Sequence, residues 1–206
     1  QKTAYDIVSL DCSSDVFSSD LNQRYELIDG ELIEMEPTGP HEEVGAFVLR
    51  KLNVEIDRLS VPWFTPARCL IKPVGTTTAF RPDVVVLDKA AIPSEPLWQN
   101  QPIITLGSSV KLVVEVVSTN WQNDYARKVE DYSTIGIPEY WIVDYLGLGG
   151  RDYIGNPKQP TVSVYQLSAS GNQYQKPAQF RGNDRIISPT FNSLQLTAEQ
   201  IFASVN

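Results

Sequence analysis

The stretch Leu112-Val113-Val114-Glu115-Val116-Val117 is apolar and rich in β-branched residues, except for one carboxylate. β-Branched residues favour strands, and an apolar run without alternation is typical of a strand that is covered on both faces. Along such a strand Glu115 shares its face with Val113 and Val117. Because an unpaired ionised group is costly to bury, the stretch predicts a buried strand whose one acid has a compensating partner.

Helices and further strands flank this stretch. One apolar stripe has a helical period, at Val44, Val48, Leu52, Ile56 and Leu59. It predicts a long helix that ends near Pro62. Apolar runs predict strands at residues 69–74, 83–88 and 139–144, and residues 124–135 have helical spacing. The middle of the chain therefore runs helix, strand, strand, strand, helix, strand, which indicates an α/β fold.

Both ends of this middle part carry additional strand signals. Asp29-Gly30 joins two short alternating runs within residues 24–36 and predicts a β-hairpin with a type I′ turn. Residues 92–109 contain three prolines and predict a long excursion with one short edge strand. The remaining elements follow Gly147: strands are predicted at 161–167, 173–180 and 185–187, and a terminal helix at 197–203.

The composition suits one globular domain, because 42% of the 206 residues are hydrophobic. No apolar run reaches the roughly 20 residues that span a bilayer, and the N-terminus lacks the layout of a secretory signal. Cys12 and Cys69 lie in dissimilar contexts, which favours unpaired thiols in a reducing cytoplasm. We expect one soluble domain over residues 1–206: a leader with one short helix (1–23), a core (24–145) and a sheet extension with the terminal helix (146–206).

The net charge of −8 at pH 7 argues against a general nucleic-acid binder, whose surface is normally basic. Nine of the 25 acids, however, lie within residues 1–40, and the remaining 166 residues carry 15 basic and 16 acidic groups. A metal site also needs local acids. The net charge therefore leaves both functions open.

Asp83 is the first residue of a predicted strand. Its carboxylate, like that of Glu115, would be costly to bury without a partner. If the two strands are neighbours, the two carboxylates converge on one cation, and such oxygen ligands suit Mg²⁺ or Mn²⁺. Lys128, in the following helix, would then help to neutralise a phosphate and to orient an attacking water. The three residues predict a metal-dependent phosphodiesterase site.

The motifs around these residues resemble the Uma-type restriction endonuclease family, a bacterial domain of unknown function in the PD-(D/E)XK nuclease superfamily. The likeness covers residues 24–145, including the hairpin and His41. Its main motifs are Arg81-Pro82-Asp83, Val114-Glu115-Val116-Val117-Ser118, Asp124-Tyr125-Ala126-Arg127-Lys128 and Ile137-Pro138-Glu139-Tyr140-Trp141-Ile142-Val143-Asp144.

This resemblance implies a restriction-endonuclease-like fold, in which helices flank a mixed central sheet that has an N-terminal β-hairpin and a C-terminal β extension. It implies Asp83 and Glu115 as metal ligands, the Val116 carbonyl as a third ligand and Lys128 as the catalytic lysine. DNA is the implied substrate, and Mg²⁺ or Mn²⁺ the cofactor. One departure is that the position two residues after the acid, where the parent motif has lysine, is Val117.

Each candidate also has a structural interpretation. Asp83 suits a turn, and Lys128 with Asp124 suits a solvated helical ion pair of about 0.2–0.5 kcal/mol. His41 and Glu26 are auxiliary candidates, which alternatively serve as a helix-cap residue and an exposed strand acid. The tryptophans that could stack on bases are Trp63, Trp121 and Trp141, which more often belong to a core.

Two other functions stay open. The first is a catalytically inactive nuclease-fold module that binds or scaffolds, assembled as a homodimer. The second is hydrolysis of another phosphate ester.

Overall fold

The structure is a computed structural model that describes residues 25–35 and 37–205. The leader predicted at 1–23 lies outside the described residues. The strands are β1 (Tyr25–Ile28), β2 (Glu31–Glu34), β3 (Trp63–Phe64), β4 (Leu70–Ile71), β5 (Val84–Asp88), β6 (Ile103–Ile104), β7 (Val110–Val116), β8 (Glu139–Asp144), β9 (Thr161–Gln166) and β10 (Ala178–Phe180). The α-helices are α1 (Gly39–Leu59), α2 (Lys128–Ile135), α3 (Arg151–Ile154) and α4 (Ala198–Phe202).

Six strands form the central sheet, in the order β10-β9-β8-β7-β5-β3. β7 and β8 are parallel, and the other neighbours are antiparallel. A parallel pair needs a crossover connection. Here a π-helical turn, Asn123–Arg127, and α2 supply it. The predicted α/β order of helix, strands, helix and strand is confirmed.

Apolar side chains cover both faces of the sheet, as the run at 112–117 predicts. On one face, Val44, Val48 and Leu52 of α1 pack in one core with alternate residues of β5, β7 and β8. On the other face, Tyr132 of α2 belongs to a second core. All of β7 except Lys111 is buried. Within the described residues, no helix combines the length and the apolar surface that crossing a bilayer requires.

The predicted hairpin and the long helix are confirmed. β1 and β2 pair antiparallel, and Asp29 and Gly30 have the positive φ angles of a type I′ turn, 51° and 86°. The Thr38 side chain caps α1, and Ser60 ends it in the left-handed conformation. Helix and hairpin are thus set by local signals that the sequence contains.

The strand predicted at 69–74 is wrong in length. Only Leu70–Ile71 is a strand, and it pairs in parallel with Ile103–Ile104 in a separate two-stranded sheet. Pro73 has no N–H to donate, so the run cannot continue as a ladder. The excursion at 92–109 does contain the expected short strand, but that strand lies outside the central sheet.

The C-terminal β extension is confirmed in part. β9 pairs with β8, and β10 pairs with β9 at the edge. The run predicted at 173–180 forms a ladder only over Ala178–Phe180. The strand predicted at 185–187 is wrong, since Arg185 makes only one isolated bridge, to Thr197. Thr197 and Gln200 form a capping box that starts α4, which explains why the helix predicted at 197–203 is present.

Gly107 provides a test of the packing between α2 and the turn before β7. A Cβ at Gly107 would lie 2.2 Å from the Ile135 carbonyl oxygen and 2.6 Å from the carbonyl carbon of Gly136. These are backbone atoms, which a side-chain rotation cannot move away. We expect Gly107→Ala to lower the free energy of unfolding by about 2–4 kcal/mol in urea titrations.

Gly45 is the matched control, because a Cβ at this position in α1 would meet nothing within 4 Å. Gly45→Ala should raise the free energy of unfolding by about 0.5–1 kcal/mol, since alanine favours helix over glycine. Equal unfolding midpoints for Gly107→Ala and the wild type would contradict the packing.

Cys69 is the free, buried thiol that the sequence predicts, whereas Cys12 lies outside the described residues. Burial, with the nearby Glu95 charge, raises the pKa of the Cys69 thiol to about 12. The thiolate is the reactive form. In a Cys12→Ser variant we expect no reaction with a disulfide reagent at about pH 8 until guanidinium unfolds the chain. Rapid labelling of the folded variant would disprove this.

Candidate active site

Asp83 and Glu115 face each other across the antiparallel pair of β5 and β7. Val84 pairs with Val114, and the same register carried one residue further places Asp83 opposite Glu115. Directly opposed residues of such a pair point to the same face of the sheet. Both acids line one cavity of about 470 Å³. The structure therefore brings the two predicted acids together.

The Asp83 carboxylate is held by the strand beside it. Its Oδ2 accepts a hydrogen bond from the Val116 N–H at 2.7 Å and lies 3.4 Å from His41 Nε2. Burial raises the pKa of Asp83, although the His41 ring, the Val116 N–H and the Lys128 ammonium oppose this rise. With Oδ2 engaged in this way, Oδ1 is the oxygen that remains to meet a ligand.

The Glu115 carboxylate is only 3% exposed, and both of its oxygens have protein partners. The Tyr132 hydroxyl donates a hydrogen bond to Oε1 at 2.7 Å, and Lys128 Nζ lies 3.2 Å from Oε2. Burial raises the pKa of Glu115 well above its usual value. The compensating partner expected for this acid is therefore Lys128, assisted by Tyr132.

Lys128 lies at the junction of the π-helical turn and α2, on the side that faces the sheet. Its Nζ is 3.2 Å from oxygens of Glu26, Glu115 and Asp124, and its side chain is 1% exposed. Burial alone would lower the pKa of Lys128, but the carboxylates around it raise the pKa well above its usual value. The alternative of a solvated pair with Asp124 is wrong, because both groups are buried.

Acidic groups outnumber the ammonium in this cluster. Glu26, Glu115 and Asp124 contact Lys128, and Asp83 acts on it by charge. Burial raises the pKa of Asp124 to about 6. A divalent cation would offset such an excess of negative charge, so the donor chemistry fits Mg²⁺ or Mn²⁺. Within residues 25–35 and 37–205, however, no three His, Cys, Asp or Glu side chains form a group that would hold a metal by themselves.

Val116, whose carbonyl is the third predicted ligand, also lines the cavity. This carbonyl accepts a hydrogen bond from His41 Nε2 at 2.9 Å. A carbonyl oxygen has two lone pairs, so this bond leaves one for a cation. Two carboxylates, one carbonyl and solvent or substrate oxygens are a sufficient set for a hard cation.

The sequence family that matches the chain is Uma2, described as "Putative restriction endonuclease", and the match covers residues 17–199. The chain belongs to the Uma2 family. A solved structure from Anabaena variabilis, described as a "putative nuclease belonging to DUF820", matches with a TM-score of 0.62 and 20% sequence identity. The match covers 88% of this chain and 91% of that chain, and at this identity it shows the fold alone. No curated protein matches.

The nuclease-like fold expected from the Uma-type motifs is thus confirmed, and the auxiliary candidates of that comparison lie at the site. His41 lines the cavity. Glu26, on β1, is buried and accepts from the Arg81 N–H at 3.0 Å as well as from Lys128. Its alternative as an exposed strand acid is wrong. Glu26 does not line the cavity itself, but it contacts two residues that do, Arg81 and Lys128.

Two residues of the cluster were not predicted as site residues in this Uma2 chain. Tyr132 lies in the helix predicted at 124–135 without a predicted site role, and the interpretation offered for Asp124 is a solvated pair with Lys128. Both lie four residues from Lys128, and residues at that spacing share one side of a helix. The spacing was therefore a usable signal once Lys128 was chosen.

The tryptophans lie away from the cavity of this family member. Trp141 is fully buried, and its Nε1–H donates to Glu139. Trp63 packs edge-on against Phe191, and Trp121 against Tyr125 and Tyr153. No tryptophan of the described chain lines the cavity. Trp141 therefore belongs to the core, which is the interpretation that the sequence favours, and it is inaccessible to a base.

Removing the Lys128 charge tests the cluster. Lys128→Met leaves three buried carboxyl groups without their cation, and we expect a loss of about 3–5 kcal/mol in the free energy of unfolding at about pH 7.5. A carboxyl group with a raised folded-state pKa stabilises the fold when protonated and loses this contribution as pH rises, for Asp124 through about 6. The loss should therefore be smaller at about pH 5.

Arg127→Met is the control, because Arg127 pairs with Asp29 and Asp131 at the surface. We expect a loss of about 1 kcal/mol or less, without this pH dependence. Urea unfolding at the two pH values measures both variants. An equal loss for Lys128→Met at both values would contradict the buried cluster.

Proposed function

We propose that this Uma2 protein is a metal-dependent endonuclease that hydrolyses phosphodiester bonds in DNA. The observation that carries the proposal is the convergence of Asp83 and Glu115 on one cavity wall, with Lys128 Nζ 3.2 Å from Glu115 Oε2. The description of the family supports the same class of reaction.

Asp83, Glu115 and the Val116 carbonyl would hold the Mg²⁺ or Mn²⁺ ion. When bound, the ion would polarise a phosphoryl oxygen and lower the pKa of a nearby water. The excess of carboxyl groups over the Lys128 ammonium supports a cation at this wall. Burial raises the pKa of both Asp83 and Glu115, because it disfavours their charged forms.

The other residues of the cavity would bind and orient the phosphate. Ser118, Thr119 and Asn120 follow β7 directly and line the cavity. Their hydroxyl and amide groups are donors for phosphate oxygens. Lys128 would stabilise the carboxylates in their ionised form and contribute positive charge beneath the phosphate. Lys128 lies at the start of the helix that follows β7. This position supports its role as the catalytic lysine, which the parent motif has at position 117.

The second candidate function is a catalytically inactive binding or scaffold module. One observation favours it: Lys128 is surrounded by three carboxylates and is only 1% exposed, so its charge is already used within the protein. The homodimer that this candidate includes, the single domain over residues 1–206 and the cytoplasmic location stay predictions.

A cleavage assay separates the candidates. We expect the wild type to nick supercoiled plasmid with Mg²⁺ or Mn²⁺ and not with chelator. Asp83→Asn and Glu115→Gln keep the size of the side chain and one acceptor oxygen but remove a charged ligand, and each should slow cleavage at least about 100-fold. RNA and an aryl phosphodiester, tested in parallel, separate DNA hydrolysis from hydrolysis of another phosphate ester.

Asp88→Asn is the control, because Asp88 lies on β5 like the residues beside Asp83, but pairs with Lys111 and does not line the cavity. It should cleave like the wild type. Cleavage at equal rates by the wild type, Asp83→Asn and Glu115→Gln would refute the assignment. Absence of metal-dependent cleavage on every substrate would favour the inactive module.

A further inference from the structure

We propose that His41 is a positioning residue, which fixes the Val116 carbonyl and the Asp83 carboxylate in the arrangement that receives the cation. The proposal rests on the proposed function. His41 is the one histidine of the chain, it is buried, and it lies in the first turn of α1. Its ring therefore connects this helix to the two strands that carry the acids.

The hydrogen bonds of the ring determine its tautomer. Nε2 lies 2.9 Å from the Val116 carbonyl oxygen, which can only accept. Nδ1 is buried and has no hydrogen-bond partner within the described residues. A proton on Nδ1 would be a buried donor without an acceptor among the described residues, which is unfavourable. The proton therefore belongs on Nε2.

While Nε2 donates to the Val116 carbonyl, that nitrogen has no lone pair to offer to a metal. A ligating histidine coordinates through a nitrogen that carries no proton and usually donates through the other one. His41 has the opposite arrangement, since its donor faces the predicted ligands and its lone pair faces the interior. The geometry assigns the ring to orientation of the ligands.

The ring closes a small network around one peptide group. The Val116 N–H donates to Asp83 Oδ2 at 2.7 Å, the Val116 carbonyl accepts from His41 Nε2, and Nε2 lies 3.4 Å from the same Asp83 oxygen. These three contacts set the rotation of the Asp83 carboxylate and the direction of the Val116 carbonyl. Without the Nε2 donor, the carbonyl loses its only side-chain restraint among the described contacts.

A side chain without an imidazole ring can supply a hydrogen-bond donor in place of His41 Nε2–H. Glutamine places its amide nitrogen near the position of Nε2, whereas asparagine, with the same chemistry, is one carbon shorter and leaves the carbonyl unpaired. Leucine fills the space without any donor. A role in packing alone would let leucine replace the ring as well as glutamine does, so the Gln variant, compared with the Leu and Asn variants, distinguishes positioning from packing.

The first experiment reads the tautomer in the metal-free protein. In a protein without a histidine tag, ¹⁵N NMR at about pH 8 reports a single imidazole, and we expect its proton on Nε2 with slow exchange. A proton on Nδ1 would overturn the proposal, whatever the protein's activity.

The second experiment measures Mn²⁺ affinity by calorimetry for the wild type, His41→Gln, His41→Asn and His41→Leu, with circular dichroism as the check of folding. We expect His41→Asn and His41→Leu to bind about 10–100-fold more weakly, and His41→Gln to bind within about threefold of the wild type.

Equal affinity of the Gln and Asn variants would overturn the role of His41 and leave the nuclease proposal intact. Failure of the wild type itself to bind Mn²⁺ would overturn the proposed function and this role together. The two failures are therefore distinguishable.

Discussion

The ammonium group of Lys128 and the carboxylates around it form the interaction on which this site depends. Its partners come from three separate parts of the chain: Glu26 from the hairpin, Glu115 from the centre of the sheet and Asp124 from the preceding helical turn. Charges buried in this way are tolerated only when they are paired and hydrogen-bonded. The cluster therefore holds hairpin, sheet and helix together.

The backbone topology explains why these groups meet. An antiparallel pairing places Asp83 opposite Glu115, and a parallel pairing of β7 with β8 requires that a helix cross between them. That helix returns Lys128 to the face of the sheet that carries Glu115. The π-helical turn before it adds one residue per turn relative to an α-helix. Such turns are frequent at functional sites, and here the turn includes Asp124.

Much of this arrangement follows from local signals. Glu139–Asp144 is a strand over the predicted residues, and Asp29-Gly30 specifies the hairpin because its turn needs positive φ angles. The acid within the apolar run at 112–117 indicated the site, because burial of a lone charge is costly. Each of these predictions needs only neighbouring residues.

The errors concern contacts between distant residues. The apolar run at 69–74 has the composition of a strand, but which partner it finds depends on Ile103 and Ile104, far along the chain. The three partners of Lys128 are likewise a property of the folded backbone. A spacing of four residues suggests Asp124 and Tyr132, but no spacing suggests Glu26. Tertiary pairing decides such contacts, and periodicity contains no information about it.

The contact of Gly107 with the end of α2 limits how the chain length can vary. Backbone touches backbone there, so the segment between residues 107 and 136 has both of its ends anchored. One residue inserted into β7 would turn Glu115 to the opposite face of the sheet, away from Lys128. The exposed turn at 168–172 has no such restriction. Insertions and deletions are therefore compatible with the site in that outer loop and incompatible with it within β7.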